Sequence, residues 1–366
     1  MTWDGGVRLR VARQARGFSQ QQLAGMAGVS RQAVSAVESG HSDPSLRVAL
    51  ALARALGLTV EEVFGPGSPP GEVEAQPVAP LGGCGARAVL APVGDTLVAL
   101  PLAGDTATRA GFLPAGGLAG REPGSVRPIG PPRSTLVVAG CDPALPLLEA
   151  PLALLDPPVA FAWWPCGSEQ ALRLAAAGQV HAAGAHLRDQ AGGAYNTQRA
   201  RSLLGGDGAE VVGFSAWREG LALAPGLAGA VQDVGDIARL GLRLVNREAG
   251  SEARQVLDRE LGRLSLEPAA LAGYDTRAAG HLQVASAIAA GLAQAGISAE
   301  PAALAYGLPF VPLADERFDL VIPRALAESR EVQAMVRVLS SPWLLAQLDS
   351  LPGYDASRCG EHVATL

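Results

Sequence analysis

The chain has 366 residues, 48% of them hydrophobic, with 29 basic against 35 acidic side chains and a formal net charge of −6. That is length for two or three domains and enough apolar content for real cores. All 29 basic residues are arginine; through Phe64 seven meet five acids (+2), whereas the remainder carries 22 against 30 (−8), so only the first stretch is suited to phosphates.

Two features bear on compartment. The four cysteines, Cys84, Cys141, Cys166 and Cys359, lie far apart with no C-x-x-C pair, which excludes a disulfide framework or a zinc ribbon. The N-terminus has no apolar secretion segment, and the most apolar run, 136–164, is broken by Asp142, Glu149, Asp156 and prolines. The expectation is a cytoplasmic protein with no membrane partner.

In chain order, Ser19 is placed to cap a short helix, Gln20 to Ala27, with Leu23, Ala24 and Ala27 at helical spacing. Gly28 breaks it, Val29 plugs the turn, and Ser30 caps a second helix, Arg31 to Ser39, whose Ala33, Val34 and Val37 point inward. Gly40 suits a left-handed cap. Pro44-Ser45 opens a further helix, and Thr59 a last short one ending at Phe64. A plain helical bundle is the bland alternative; it loses because the serine caps, the Gly-Val-Ser turn and the Glu-x-Gly stop all fall at the right offsets together. Residues 5–65 resemble the phage-repressor-like (Cro/C1-type, XRE) helix-turn-helix family. That resemblance implies double-stranded operator DNA as partner, with a DNA-facing set of Ser19, Gln20, Ser30, Arg31, Gln32 and Ser35. Gln20 and Ser30 would anchor phosphates; Arg31, Gln32 and Ser35 would read bases. A charge of +2 is modest, so a homodimer is expected, presenting two recognition helices about 34 Å apart.

Residues 66–85 are rich in Pro and Gly without a hydrophobic period and read as a linker. Residues 86–133 alternate short β-type runs (88–90, 97–100, 112–113, 125–126) with Gly-Pro turns. They read as a small β-rich segment, either packed on the C-terminal part or helping to pair two chains.

From residue 134 to 366 the rhythm is β-α-β: a strand at 135–140, a helix at 143–150, a strand at 159–164, a helix at 168–177 and a strand at 181–186. Such alternation implies a parallel sheet with helices on its faces and a ligand beyond the strands' carboxyl ends. Gly140-Cys141-Asp142, Cys166-Gly167-Ser168 and the turn before a helix at 252–261 each put free N–H groups at a helix start, ground that favours an anion. Cys141 and Cys166 with His281 would make a soft-metal site if they faced one pocket, but buried inert thiols are the expectation, and no metal is assigned.

This part resembles the periplasmic-binding-protein-like domain of cytoplasmic molybdate-metabolism regulators. The carriers span 136–359: Val138 to Leu145, Gly167-Ser168, His186-Leu187, Ala194-Tyr195-Asn196, Arg218-Glu219-Gly220, Val245-Asn246-Arg247 with Gly250-Ser251 and Arg254, His281, and Phe310 to Leu313 with Glu316. The resemblance implies a multidomain fold, an all-α helix-turn-helix head plus an α/β two-lobed domain. It also implies a cleft for molybdate, tungstate or a related oxyanion or cofactor species. Carried over residue by residue, the ligand set is Cys141, Gly167, Ser168, Tyr195, Asn196, Ser251, Arg254 and His281. The family has Ser at Cys141, Gly-Ser-Gly-Thr-Arg at 250–254 and Thr-His at 280–281, so two hydroxyl donors are absent here and Glu252 opposes an anion unless it turns away.

The reading is a one-component transcriptional regulator. A constitutive DNA-binding protein whose C-terminal domain only dimerises is the alternative. An enzyme of molybdopterin metabolism is disfavoured, since no Ser-His-Asp set, acid/base carboxylate pair or phosphate loop can be assembled, and no catalytic residue is named.

Overall fold

The computed structural model describes residues 5–64, 72–102, 113–130, 133–189, 195–205 and 208–366. These fall into two compact units, one within Met1–Glu74, Gly83–Arg87 and Ala115–Pro131, the other within Ala75–Gly82, Ala88–Pro114 and Pro132–Leu366.

The head is five helices: α1 (Gly5–Ala15), α2 (Gln20–Ala27), α3 (Arg31–Glu38), α4 (Leu46–Ala55) and α5 (Val60–Val63). Ser19 Oγ accepts the Gln22 N–H while the Gln22 side chain accepts from Ser19 N–H, a reciprocal closure that satisfies two otherwise orphaned donors. Gly28, at φ 65°, ends α2 in the left-handed region, where a Cβ is unfavourable. Ser30 and Ser45 cap α3 and α4. Leu9, Leu23, Val34, Val37, Leu52, Leu56 and Val63 then close one core. Glu38 is buried beside it and accepts from Arg13 Nε at 2.6 Å, Arg13 Nη2 at 3.0 Å and Gln20 Nε2 at 2.9 Å. Burial works against its charge, but the bonds from Arg13 and Gln20 outweigh that and hold its carboxyl below the usual range.

Residues 72–85, linker-like in composition, hold two short strands, β1 (Val73–Glu74) and β2 (Gln76–Pro77). Beyond them come β3 (Arg87–Val93), β4 (Thr96–Pro101), β5 (Gly117–Ala119) and β6 (Ser125–Pro128). In the first unit β6 pairs antiparallel with β1 and β5. In the second, β3 and β4 form a hairpin with β2 alongside β4. Ala91, Val93, Val98 and Leu100 of that hairpin bury against Val137, Ala139 and Leu172 of the C-terminal domain. Phe112, expected in a strand, lies outside the described residues, and Leu113 is in no strand.

The C-terminal domain has two lobes. In the first, β7 (Thr135–Gly140) lies parallel to β8 (Ala160–Pro165) and β9 (Ala182–Ala185). The helix expected at 143–150 is instead a 3₁₀ turn, Leu145–Leu148, followed by α6 (Glu149–Ala153); Pro146 and Pro151 each remove a backbone donor. Helices α7 (Ser168–Ala176) and α8 (Thr197–Leu204) complete this part. Then β10 (Ala209–Leu223) crosses into the second lobe, which holds α9 (Val234–Arg239), β11 (Leu244–Arg247), α10 (Glu252–Leu264), β12 (Arg277–Ala278), α11 (His281–Ala289), β13 (Ala295–Ala299) and α12 (Glu300–Ala305). The chain returns along β14 (Phe310–Pro323) to α13 (Arg330–Leu339), α14 (Pro342–Asp349) and β15 (His362–Thr365).

The parallel sheet expected from the β-α-β rhythm exists inside each lobe but not across the domain. β10 and β14 run antiparallel to each other from Ala209↔Pro323 to Ala222↔Phe310, and antiparallel to β13 and β9. The result is one curled mixed sheet in the order β12-β11-β13-β10-β14-β9-β7-β8, with β15 on β10. Two bulges, at Gly213/Ser215 and Glu219/Gly220, bend the crossing pair. No helix among the described residues is long and apolar enough to cross a membrane.

Gly184 of β9 is where the crossing strand presses on the first lobe: a Cβ there would stand 2.1 Å from Phe318 Cζ. The Phe318 ring fills the space a side chain would need, against Phe214 and Trp217. Replacing Gly184 by Ala is therefore expected to destabilise the domain by about 1–3 kcal/mol, the range of an overpacked core, read as a lower urea midpoint at unchanged slope.

Candidate functional site

On the head, Arg31 and Gln32 open α3 on its exposed side, with Ser35 half-buried one turn on. Ser19 and Ser30 are exposed, and their hydroxyls accept the backbone N–H groups of Gln22 and Ala33. Gln20 is committed inward, its amide donating to Glu38. The structure thus leaves Arg31 and Gln32 facing out, with Ser35 half-buried beside them, and ties Gln20 to Glu38.

In the C-terminal domain the polar groups gather where the crossing strands meet the two lobes. Trp217 of β10 stands directly opposite Glu316 of β14, and Glu219 follows two residues on at a bulge. Cys141 comes from the turn after β7 and His186 from the end of β9; Arg247 closes β11 and His281 opens α11. All seven are buried.

The charged groups lie close together but are under-satisfied. His186 Nδ1 lies 3.6 Å from Glu316 Oε2 and 3.8 Å from Glu219 Oε2, and His281 Nδ1 lies 3.5 Å from Glu219 Oε1. His281 Nδ1 also accepts the Ala299 N–H at 3.1 Å, which leaves its proton on Nε2. Arg247 gives Nε and Nη2 to Glu248 at 2.8 and 2.9 Å. Among the described residues, both oxygens of Glu219 and of Glu316, Arg247 Nη1, Trp217 Nε1, His281 Nε2 and His186 Nδ1 have no hydrogen-bond partner. Native interiors leave few such atoms, and their concentration makes this cluster the candidate site.

Charge follows from the same geometry. Burial lifts the Glu219 carboxyl to about 7, with Glu316 adding to it and His186 and Arg247 opposing. Burial alone would push His186 down; the Cys141 thiol and the Glu316 and Glu219 carboxylates together outweigh it and hold the imidazole well above its ordinary value. For His281 burial dominates, and Arg247 and His186 push the same way, so that ring is neutral.

Of the residues expected to hold ligand, Cys141 and His281 enter this cluster. Gly167 sits at the seam between the lobes, where a Cβ would come within 3.2 Å of Glu248 Oε1 and 3.9 Å of Ser251; two of the expected helix starts therefore do face each other. The other residues are engaged in holding the fold. Ser168 Oγ accepts the His186 N–H at 3.1 Å and so positions that ring. Ser251 caps α10 and donates to Glu248 O. Asn196 accepts from Leu187 N–H and donates to Asp319. Tyr195 donates to Asp315 O, and Arg254 stacks on Tyr274 at 3.9 Å; Ala194 lies outside the described residues. Cys166 joins a different core from Cys141, on the other face of β7, so the two thiols do not share a pocket. Glu252 is turned to Arg259, 2.7 Å away. His186, Trp217, Glu219, Arg247 and Glu316 also enter the cluster although the sequence does not single them out as candidate ligand residues; all but Trp217 stand inside the motifs that carry the family resemblance.

Comparison with known proteins agrees with this architecture. The family described as "PBP superfamily domain" matches residues 150–340, just over half of the chain. The chain belongs to this family. A helix-turn-helix family matches residues 9–63 ahead of the PBP-like domain. The chain is similar to the uncharacterised protein YvgK of Bacillus subtilis (strain 168), 33% identical over 48% of this chain and 56% of that protein, so it spans little more than half of that relative's length. Its head is similar to the uncharacterised HTH-type transcriptional regulator MJ0272 of Methanocaldococcus jannaschii, 39% identical over 16% of this chain and 86% of that one. It is also similar to the P22 c2 repressor solved in complex with a synthetic operator, 32% identical over 17% of this chain and 94% of that chain, with a TM-score of 0.16. The chain thus joins a helix-turn-helix domain, similar to those of HTH-type transcriptional regulators, to a PBP superfamily domain.

Burial and the neighbouring Glu316 lift the Glu219 carboxyl to about 7, so the Glu219 charge opposes folding of the PBP-like domain at neutral pH and above. Glu219→Gln, which keeps the shape and removes a charge, is expected to raise the stability of the ligand-free protein by about 1–3 kcal/mol. Chemical denaturation at neutral pH reads it; a destabilised variant would mean that Glu219 already has its counter-charge inside the fold.

Proposed function

We propose that the protein is a one-component transcriptional regulator that binds operator DNA as a homodimer and is switched by a small oxyanion, of the molybdate or tungstate class, held between the lobes of its PBP-like domain. The observation that carries the ligand half is a pair of buried donors. Among the described residues Arg247 Nη1 and Trp217 Nε1 have no acceptor, one from the second lobe and one from the crossing strand, and an oxyanion offers only acceptors. Glu252 turns to Arg259, which offsets part of the like charge that the sequence sets at the start of α10. Closing on a ligand joins the lobes, and the operator end responds only if the ligand prefers one arrangement of the paired chains.

Two features of the head support the DNA half. Arg31 and Gln32 stand exposed at the start of α3, where long donors reach base edges in the major groove. Leu46 and Leu50 of α4 are 72% and 37% exposed, apolar surface that a second copy would cover.

Thermal-shift titration of the purified protein with molybdate, tungstate, sulfate, phosphate and pterins tests the ligand. A selective shift by one oxyanion is expected, and no response to any of them would leave the constitutive DNA-binding reading in its place. Gln32→Ala and Ser35→Ala are expected to lower discrimination between operator and unrelated DNA by about 1–3 kcal/mol for a good base contact, with the oxyanion shift unchanged. Trp217→Phe keeps a ring and removes one donor, and should weaken oxyanion binding by roughly tenfold while the ligand-free variant still binds operator. Unchanged oxyanion affinity in that variant would remove Trp217 from the site.

A further inference from the structure

The cluster contains more than an anion by itself requires. Cys141 Sγ and one ring nitrogen each from His186 and His281 lie within 4.8 Å of one another, all three residues buried. A thiol with two imidazoles is the donor set of a borderline-soft divalent d-block ion. Behind the rings stand the glutamates: the Nδ1 edge of His186 faces Glu316 and Glu219 at 3.6 and 3.8 Å, and that of His281 faces Glu219 at 3.5 Å. Carboxylates on the far nitrogen are how metal-binding imidazoles are commonly oriented and made more basic. Among the described residues, the four oxygens of those glutamates and the Nε2 atom of His281 have no partner. The arginine at hand, Arg247, has two of its nitrogens bound to Glu248. A tetrahedral oxyanion placed here would add negative charge beside two carboxylates, a cost that a bound divalent cation would offset.

Resting on the reading that this cluster is the ligand site, we propose that it is a metal site: Cys141 as thiolate and His186 and His281 through Nε2 bind one divalent ion of the Zn²⁺ kind, with a fourth position open to the oxyanion. The Cys141 proton leaves to solvent. In His281 the proton moves from Nε2 to Nδ1, so that the bond from Ala299 N–H is exchanged for one donated to Glu219. His186 releases its Nε2 proton to solvent and presents Nδ1–H to Glu316. The ion supplies the positive charge that makes the open position, Arg247 Nη1 and Trp217 Nε1 a favourable seat for an anion.

The test uses the full-length chain with Co²⁺ as the probe, reduced, without chelator, anion or DNA. About one equivalent of Co²⁺ is expected to give a thiolate-to-cobalt band in the near ultraviolet and the visible bands of a four-coordinate ion, all displaced by Zn²⁺. Cys141→Ser should abolish the thiolate band, and Cys166→Ser, at a thiol buried in the other core, should keep it. Glu316→Gln should keep the band but weaken Co²⁺ by roughly 10–100-fold, a result that does not depend on Cys141→Ser folding. Absence of saturable Co²⁺ uptake by the unmodified protein, a thiolate band that survives Cys141→Ser, or unchanged affinity in Glu316→Gln would overturn the proposal. The two readings fail separately. If the cobalt band forms but molybdate and tungstate give no thermal shift with Zn²⁺ present, the oxyanion reading falls and the metal site stands; if an oxyanion shifts the metal-free protein and no cobalt band forms, the reverse holds.

Discussion

The pairing of β10 with β14 is the constraint on which the C-terminal domain depends. Two strands of 15 and 14 residues run side by side from one lobe to the other, and their register alone decides that Trp217 meets Glu316. Side chains alternate across a strand, so a slip of one residue would turn both away from the site. Trp217 and Glu219 are two residues apart on β10 and so share the face that Glu316 meets; the bulge falls just after them, between Glu219 and Gly220. Every other member arrives from a lobe: Cys141 and His186 from one, Arg247 and His281 from the other.

Around this frame the neighbouring polar residues hold the cluster in place. Asp142 accepts from Ala144 N–H, Ser215 Oγ and Tyr354 Oη at 2.7–2.8 Å, tying the turn that carries Cys141 to β10 and to the C-terminal segment. Ser168 fixes the backbone of His186. Asn196 bridges Leu187 and Asp319. These residues satisfy their own hydrogen bonds, whereas those of the cluster do not.

The head contrasts with this. Its polar groups are matched: the buried acid Glu38 is bound by Arg13 and Gln20, and the helix starts are capped by serines. Its core is complete without a ligand. Its long polar side chains Arg31 and Gln32 stand instead on its outside, at the start of α3.

Residue order alone settles the part of this protein that is governed by neighbours a few positions apart. Caps, turn glycines and helical spacing set α2 to α4 almost to the residue, and the β-α-β rhythm set β7, β8, α7 and β9 within one or two residues. The family motifs already held His186, Glu219, Arg247 and Glu316. Their meeting was decided only in three dimensions, because β10 and β14 are about a hundred residues apart and no local period announces which strand will pair with which, in what direction, or where a bulge will fall. The same holds for the residues that looked like ligands. Whether Ser251 caps a helix, whether Asn196 bridges two strands, or whether Cys141 and Cys166 lie on one face depends on which partners the folded chain brings within about 3 Å. A hydrogen bond is made by proximity in space, and sequence spacing fixes proximity only over the length of a turn.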